Sequence, residues 1–242
     1  MPAAILRLHG SWDTEAGRAW CRDVPELVAA KTDEAFYRGR NLLLQLEGPT
    51  GPVVVKAFGR GKWWRPSRGL GKAGLSYDHA VRCLRAGVAT PEPRAALLAP
   101  GTGGFYLCDW HAGCRSVWDI HDRKLPEEEL HALAEFVARM HEAGVHHRDL
   151  TPGNILLRPR ERGFDHLLID LNRMSFGPVS PRMGLGALAK LACEGRLVVP
   201  YALARGLDAD LAQRLFRRLT FIEQTSRTLK DATRAWRRKV GL

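Results

Sequence analysis

His146-His147-Arg148-Asp149-Leu150-Thr151-Pro152-Gly153-Asn154 is the stretch of this 242-residue chain whose residue types and spacing could do chemistry. Asp149 and Asn154 stand five apart, and Asp170 follows 21 residues after Asp149, at the end of the apolar run Leu167-Leu168-Ile169. That order suits phosphoryl transfer from a metal-bound nucleotide. A hydroxyl acceptor needs a carboxylate to orient it and take its proton, which makes Asp149 the candidate base. Asn154 and Asp170 are the candidate Mg2+ ligands, two oxygen donors from separate segments, and a neutral Asn adds no charge beside a triphosphate. An Asp-Leu-Thr-Pro-Gly-Asn turn by itself would be a mere connection between helix and strand. Three features in order, with a lysine upstream, favour ATP and Mg2+ chemistry.

The lysine is Lys56, near the end of the β-branched run Val53-Val54-Val55-Lys56-Ala57-Phe58, where a kinase places the side chain that holds the α- and β-phosphates. Two glycine sites compete for the turn that covers the nucleotide. Gly48 and Gly51 lie eight and five residues before Lys56 and belong to the hairpin feeding its strand. Gly39 lies 17 before it, with the strand Asn41–Leu46 between, and suits the covering turn better. A helix is expected from about Leu75 to Ala86, ending at Gly87. A protein kinase carries there a glutamate that pairs with the strand lysine. Between Lys62 and Thr90 the sole acid is Asp78, so either Asp78 substitutes or Lys56 is positioned otherwise. Ala96–Leu98 and Gly104–Cys108 read as the remaining strands. Asp109-Trp110-His111-Ala112-Gly113 then reads as a hinge, with Asp109 and His111 in a backbone that would meet the adenine.

The strongest helical signal runs from Pro126 to Ala143. Pro126 suits a first helical position, Glu127, Glu128 and Glu129 suit the positive end of the dipole, and Gly144 stops it. Leu130, Leu133, Ala134, Val137 and Met140 form its apolar stripe. His141 and His146 read as surface histidines and His147 as loop packing. Residues 1 to about 34, with a helical patch from Val24 to Ala30, are expected to pack on the N-terminal part. The fold expected is α+β and two-lobed, protein-kinase-like. Residues 1–109 form a small antiparallel-sheet lobe, and residues 110–242 form a mainly helical lobe with the catalytic loop.

Composition sets the outer limits. The net charge of +11 favours a polyanionic partner. Five scattered cysteines read as reduced thiols, and the spacing of Cys108, His111 and Cys114 is not that of a zinc site. No apolar run is long enough to span a bilayer, and the N-terminus lacks the basic start and apolar core of a signal peptide. Residues 59–75 hold Lys62, Trp63, Trp64, Arg65 and Arg68 in a Gly/Pro-rich loop suited to gripping an anion. Residues 207–238 read as helical and basic. There Leu211, Leu215, Leu219 and Ile222 face one way, and the cations Arg214, Arg217, Arg218, Arg227, Lys230, Arg234, Arg237, Arg238 and Lys239 crowd the rest, a pattern that could dock on an anionic membrane.

After Asp170 the chain reads Asp170-Leu171-Asn172-Arg173 and lacks the activation segment of regulated protein kinases. With Val53–Lys56, Gly87-Val88-Ala89-Thr90-Pro91, His141–Asn154 and Leu168–Arg173 in hand, the chain from about Tyr37 to Leu191 resembles the bacterial lipopolysaccharide kinases of the Kdo kinase and heptose kinase type. The resemblance implies phosphorylation of a sugar hydroxyl on a lipopolysaccharide core, using ATP and Mg2+, at the cytoplasmic face of the inner membrane. By the family pattern Asp149 is the base, Asn154 and Asp170 bind metal, and Lys56 holds ATP phosphate. The family usually has an Asp where Asn172 stands, and often an acid in the helix where Asp78 alone is available. The expected partner is a lipid-linked glycan or another anionic small acceptor, with peripheral contact to an anionic membrane; nucleic acid is not expected. Competing readings are a small-molecule or atypical protein kinase, and a pseudokinase or nucleic-acid-associated scaffold. Oligomeric state and the acceptor hydroxyl are not readable from the chain.

Overall fold

The structure is a computed structural model that describes residues 2–59, 71–100, 103–121, 125–191, 195–222 and 225. Most of the basic loop at 59–75 and the cations from Arg227 onward therefore lie outside the described residues. Contacts divide the chain into two compact units, Met1–Cys114 with Leu167–Met174, and Arg115–His166 with Ser175–Leu242.

The first unit is built on a six-stranded sheet of order β1-β5-β6-β4-β3-β2. Its strands are β1 (Ala4–Leu8), β2 (Tyr37–Arg38), β3 (Asn41–Gly48), β4 (Gly51–Phe58), β5 (Pro93–Ala99) and β6 (Gly103–Asp109). Lys56 pairs with Leu43 on one side and Tyr106 on the other, so ladder bonds fix the β4 backbone from both edges. Side chains alternate. Val53 and Val55 enter a core with Leu44, Leu46, Leu97, Leu107 and Trp12, and Lys56 lies out of phase with them.

Helix α1 (Glu15–Ala30) begins at Thr14, whose Oγ1 accepts from Gly17 N–H at 3.0 Å, and buries Cys21, Val24 and Val28. It is 16 residues long, with Pro25 inside. The sequence indicates only its second half, because the polar first turns show no apolar period and the capping threonine stands alone. Trp12 is fully buried, and its Nε1 donates to Thr50 Oγ1 at 2.8 Å, which fixes the N-terminal segment to the β3–β4 turn. Helix α2 (Gly71–Arg85) starts four residues before the expected Leu75. Gly71 and Gly74 suggest a loop, yet Ala73 and Gly74 are buried, and a Cβ built on Gly104 would stand 3.1 Å from Ala73 Cβ. Small residues here let helix and sheet approach closely.

After Cys114 the chain runs through β7 (Arg115–Ser116), α3 (Val117–His121), α4 (Glu127–Glu142), β8 (Val145–His147), β9 (Ile155–Pro159), β10 (Phe164–Leu168), β11 (Met174–Phe176), α5 (Pro181–Leu188) and α6 (Val198–Ala204). A further helix, α7, covers 209–222. Strands β10, β9 and β7 form one small sheet and β11 and β8 another. The expected stripe Leu130, Leu133, Ala134, Val137 and Met140 is buried on α4. Pro126 is the cap of that helix rather than its first residue. Gly144 follows at φ +71°, and its carbonyl accepts from Gly177 N–H at 2.8 Å, so the chain turns straight from α4 into β8. His141 is buried, not at the surface, because α5 and α6 cover that face: its Nδ1 meets Tyr201 Oη at 2.8 Å.

Candidate active site

In the first unit the segment after β10 is pinned before any side chain acts. Leu168 N–H donates to Ala89 O at 2.9 Å, and the buried Thr90 Oγ1 donates to Leu168 O at 2.6 Å. His79 Nδ1 on α2 donates to Leu171 O at 2.6 Å. These contacts give Gly87–Pro91 and the helix a role the sequence does not assign: they seat Leu168–Leu171. Between those two anchors Asp170 takes φ 57°, ψ 52°, and is the sole non-glycine residue at positive φ among the described residues. A left-handed aspartate is uncommon, and such conformations cluster at functional sites.

That conformation brings the Asp170 carboxylate to Lys56. Lys56 Nζ donates to Asp170 Oδ1 in an ion pair spanning 114 positions of sequence. The Asn172 amide donates to the same oxygen at 2.9 Å. An Asp at position 172 would set a second carboxylate against Oδ1, whereas Asn supplies a proton. Asp78 does not substitute as the helix acid: its carboxylate receives Arg7 Nε at 2.9 Å and Nη2 at 3.3 Å. Lys56 lies 5.4 Å from the centre of the Phe58 ring and Lys72 lies 6.0 Å from it. Two cations therefore gather about one aromatic side chain beside β4.

Gly39 lies in the tight turn between β2 and β3, with its N–H donating to Asn41 O at 3.1 Å. A Cβ there would stand 2.6 Å from the Tyr37 hydroxyl, so a side chain requires Tyr37 to move. The turn borders a cleft of about 410 Å³ lined by Arg38, Gly39, Arg40, Ala57, Phe58 and Gly59 among others. Asp109 is committed elsewhere: both its carboxylate oxygens receive Arg94, at 2.5 and 2.6 Å. Its N–H donates to Glu92 O and that of Trp110 to Pro52 O, both at 3.0 Å. His111 O accepts from Cys114 N–H at 3.4 Å. The N–H groups of Asp109 and Trp110 are therefore both taken by neighbouring backbone. Burial pushes the Cys108 thiol up to about 12, and no cluster that could hold a metal through His, Cys, Asp or Glu occurs among the described residues.

In the second unit the loop after β8 is shaped by its own polar groups. His147 is fully buried, and its Nδ1 accepts from Asp149 N–H at 3.2 Å. Asn154 Nδ2 donates to Asp149 O at 2.7 Å, which turns the amide nitrogen toward the loop backbone. Lys190 Nζ donates to Arg148 O at 2.5 Å, a support that no local motif announces. Leu150 and Pro152 are buried, while Asp149 and Asn154 are half-buried. The loop is thus clamped at Arg148, at Asp149 and at Asn154, and its two apolar residues anchor it.

Residues 84–177 match the model of the lipopolysaccharide kinase (Kdo/WaaP) family. The structure of WaaP in complex with acyl carrier protein superposes with a TM-score of 0.60 at 22% identity, covering 95% of this chain and 99% of that one. The chain shares the fold of WaaP. It is α+β and protein-kinase-like, with a sheet unit and a mainly helical unit. A 3-deoxy-D-manno-octulosonic acid kinase from Pasteurella multocida is 32% identical over 94 residues, 36% of this chain. The chain spans only 39% of the length of that curated relative. The PknI kinase domain of Mycobacterium tuberculosis is 18% identical with a TM-score of 0.47, over 73% of this chain and 75% of that one.

Proposed function

We propose that this chain is a kinase that transfers the γ-phosphate of ATP to a sugar hydroxyl, Kdo or heptose, of a lipopolysaccharide core. The observation that carries the reading is the Lys56–Asp170 pair, which joins a lysine of a central strand to an aspartate of a distant segment. The family match and the Pasteurella multocida relative support a sugar hydroxyl as acceptor. In this reading Asp149 orients the hydroxyl and takes its proton, and Lys56 holds phosphate oxygens. Gly39 lets the β2–β3 turn approach the phosphates, and the segment of Asp109 and His111 borders the base. Asp170 and Asn154 are the Mg2+ ligands by type. They fit a hard cation, since each offers oxygen and the Asn154 nitrogen is already bound to Asp149 O. Bound Mg2+ would neutralise charge on the phosphates.

In this reading the reaction takes place at the cytoplasmic face of the inner membrane, where a lipid-linked glycan would be met. No helix among the described residues is long and apolar enough to cross a membrane. An acyl carrier protein, which accompanies WaaP in its solved complex, is a further candidate partner. The test is mass spectrometry of a lipopolysaccharide core acceptor after incubation with Mg-ATP, beside Asp149→Ala. One phosphate gained with the wild type alone is the expected result. Binding of Mg-ATP without transfer overturns the acceptor, and absence of nucleotide binding overturns the kinase reading itself.

A further inference from the structure

Helix α7 carries an outward face that nothing in the proposed reaction uses. It is capped by Asp208, whose Oδ1 accepts from Leu211 N–H at 2.7 Å. Its inner side is set by Ala212, which is buried, and by Phe216, whose ring would lie 3.5 Å from a Cβ on Gly195. At 3.6 residues per turn the opposite side presents Asp210, Leu211, Arg214, Arg218, Phe221 and Ile222, with Arg217 next to them. Leu211 and Ile222 are 57% exposed and Phe221 is 70% exposed. Of the stripe anticipated from the sequence, Leu211 and Ile222 are exposed while Leu215 and Leu219 are half-buried, and large apolar side chains share the solvent face with arginines.

We infer that this face of α7 docks on a bilayer surface carrying anionic phospholipid. Charge decides between occupants. The face carries three arginines, Arg214, Arg217 and Arg218, against one acid, Asp210, so a second copy of the same face meets a net like charge. The segment 226–242 holds six Lys and Arg against one Asp, which disfavours it as a cover for α7. Cations interleaved with Leu, Phe and Ile suit an interface where apolar groups enter the acyl boundary and arginine stems reach back to phosphates. The inference stands on this surface alone and does not depend on phosphotransfer.

The test is co-sedimentation of the full chain, without nucleotide, on vesicles of phosphatidylethanolamine with phosphatidylglycerol and on vesicles of phosphatidylcholine. Binding to the first and not the second is expected, weakening as salt rises. Each surface cation contributes about fivefold in partitioning, so R214Q/R217Q/R218Q should lose about a hundredfold. The lysine set R214K/R217K/R218K should retain binding, which separates charge from any damage to the fold. L211Q/F221Q/I222Q should lose the part of the binding that survives high salt. Equal binding to both vesicles overturns the inference. So does a glutamine set that binds as the wild type does, which would locate the contact elsewhere. Failure on every vesicle with capture of a purified acidic protein would make the face a protein interface and overturn it too.

Discussion

Lys56 is paired with Asp170, while the one acid of α2, Asp78, is paired with Arg7. The lysine therefore does not rely on the helix for a counter-charge. Asp78→Asn should leave Mg-ATP affinity within about twofold, because it releases only Arg7. Both members of the Arg7–Asp78 pair are more than a third exposed, so its loss should cost no more than about 1 kcal/mol. Asp170→Ala should abolish Mg2+-dependent nucleotide binding. Calorimetry on the two variants separates the cases, and a tenfold loss in Asp78→Asn would return the lysine's partner to the helix.

Asn172 shares Asp170 Oδ1 with Lys56. Asn172→Asp replaces a donor by a second carboxylate, and like charges so close are costly without a cation. The variant should be less stable than wild type in chelator by about 1–2 kcal/mol. It should recover on adding Mg2+, since a ligand of the folded state stabilises it by mass action. Thermal melts with and without Mg2+ report this. An equal metal response in both proteins would separate Asn172 from the metal site.

The loop from His147 to Asn154 could be marked in the sequence because its information is local. Residue type and spacing from His147 to Asn154 suffice, and the pairing of strands β3 and β4 follows from their composition and turn. What decides the Lys56 site was not legible. Asp170 contacts a lysine 114 positions away through a left-handed backbone, and no propensity scale reports a φ of 57° at an aspartate. Only the first turn of helix α2 hides from the sequence, behind Gly71, which takes φ 64°, and the buried Gly74. Lys190 reaches Arg148 O from a different element altogether.

The end of β6 is held by one ion pair. Arg94 grips both Asp109 oxygens and also reaches Ser11 Oγ at 3.2 Å, so it ties the N-terminal segment to the end of β6. Asp109→Asn should preserve nucleotide affinity, since the carboxylate has no vacancy for a ligand. Arg94→Ala strands a largely buried carboxylate and should destabilise by about 2–4 kcal/mol. Urea unfolding gives the second number. A selective loss of nucleotide affinity in Asp109→Asn, with stability unchanged, would instead give the carboxylate a direct role.

The polar cluster beneath β8 is a packing solution with a narrow tolerance. Arg205 Nη1 donates to Tyr201 Oη at 2.9 Å, and that hydroxyl meets His141 Nδ1 at 2.8 Å. A Cβ on Gly184 would stand 1.9 Å from Tyr201 Oη, so Gly184→Ala should cost about 1–3 kcal/mol through overpacking. Tyr201→Phe leaves buried His141 Nδ1 without its partner and should cost about 1–3 kcal/mol. Chemical unfolding of both variants checks the two values.

The same cluster sets an acid limit on stability. Burial first, and then the nearby His146 and Arg205 charges, lower the His141 pKa to about 3. Burial and the Arg139 charge lower His166 to about 4. Both folded values lie below the unfolded value of about 6.5, so the unfolded chain takes up these protons first. The stabilisation is complete above about pH 6.5 and is lost as pH falls toward the folded values. Between pH 7 and 5 each histidine should remove about 2 kcal/mol of stability. His141→Gln, which can still bond Tyr201 and does not titrate, should flatten its share of that slope. Urea midpoints at pH 7.5, 6 and 5 for wild type and variant measure it, and parallel curves would assign the acid sensitivity to other groups.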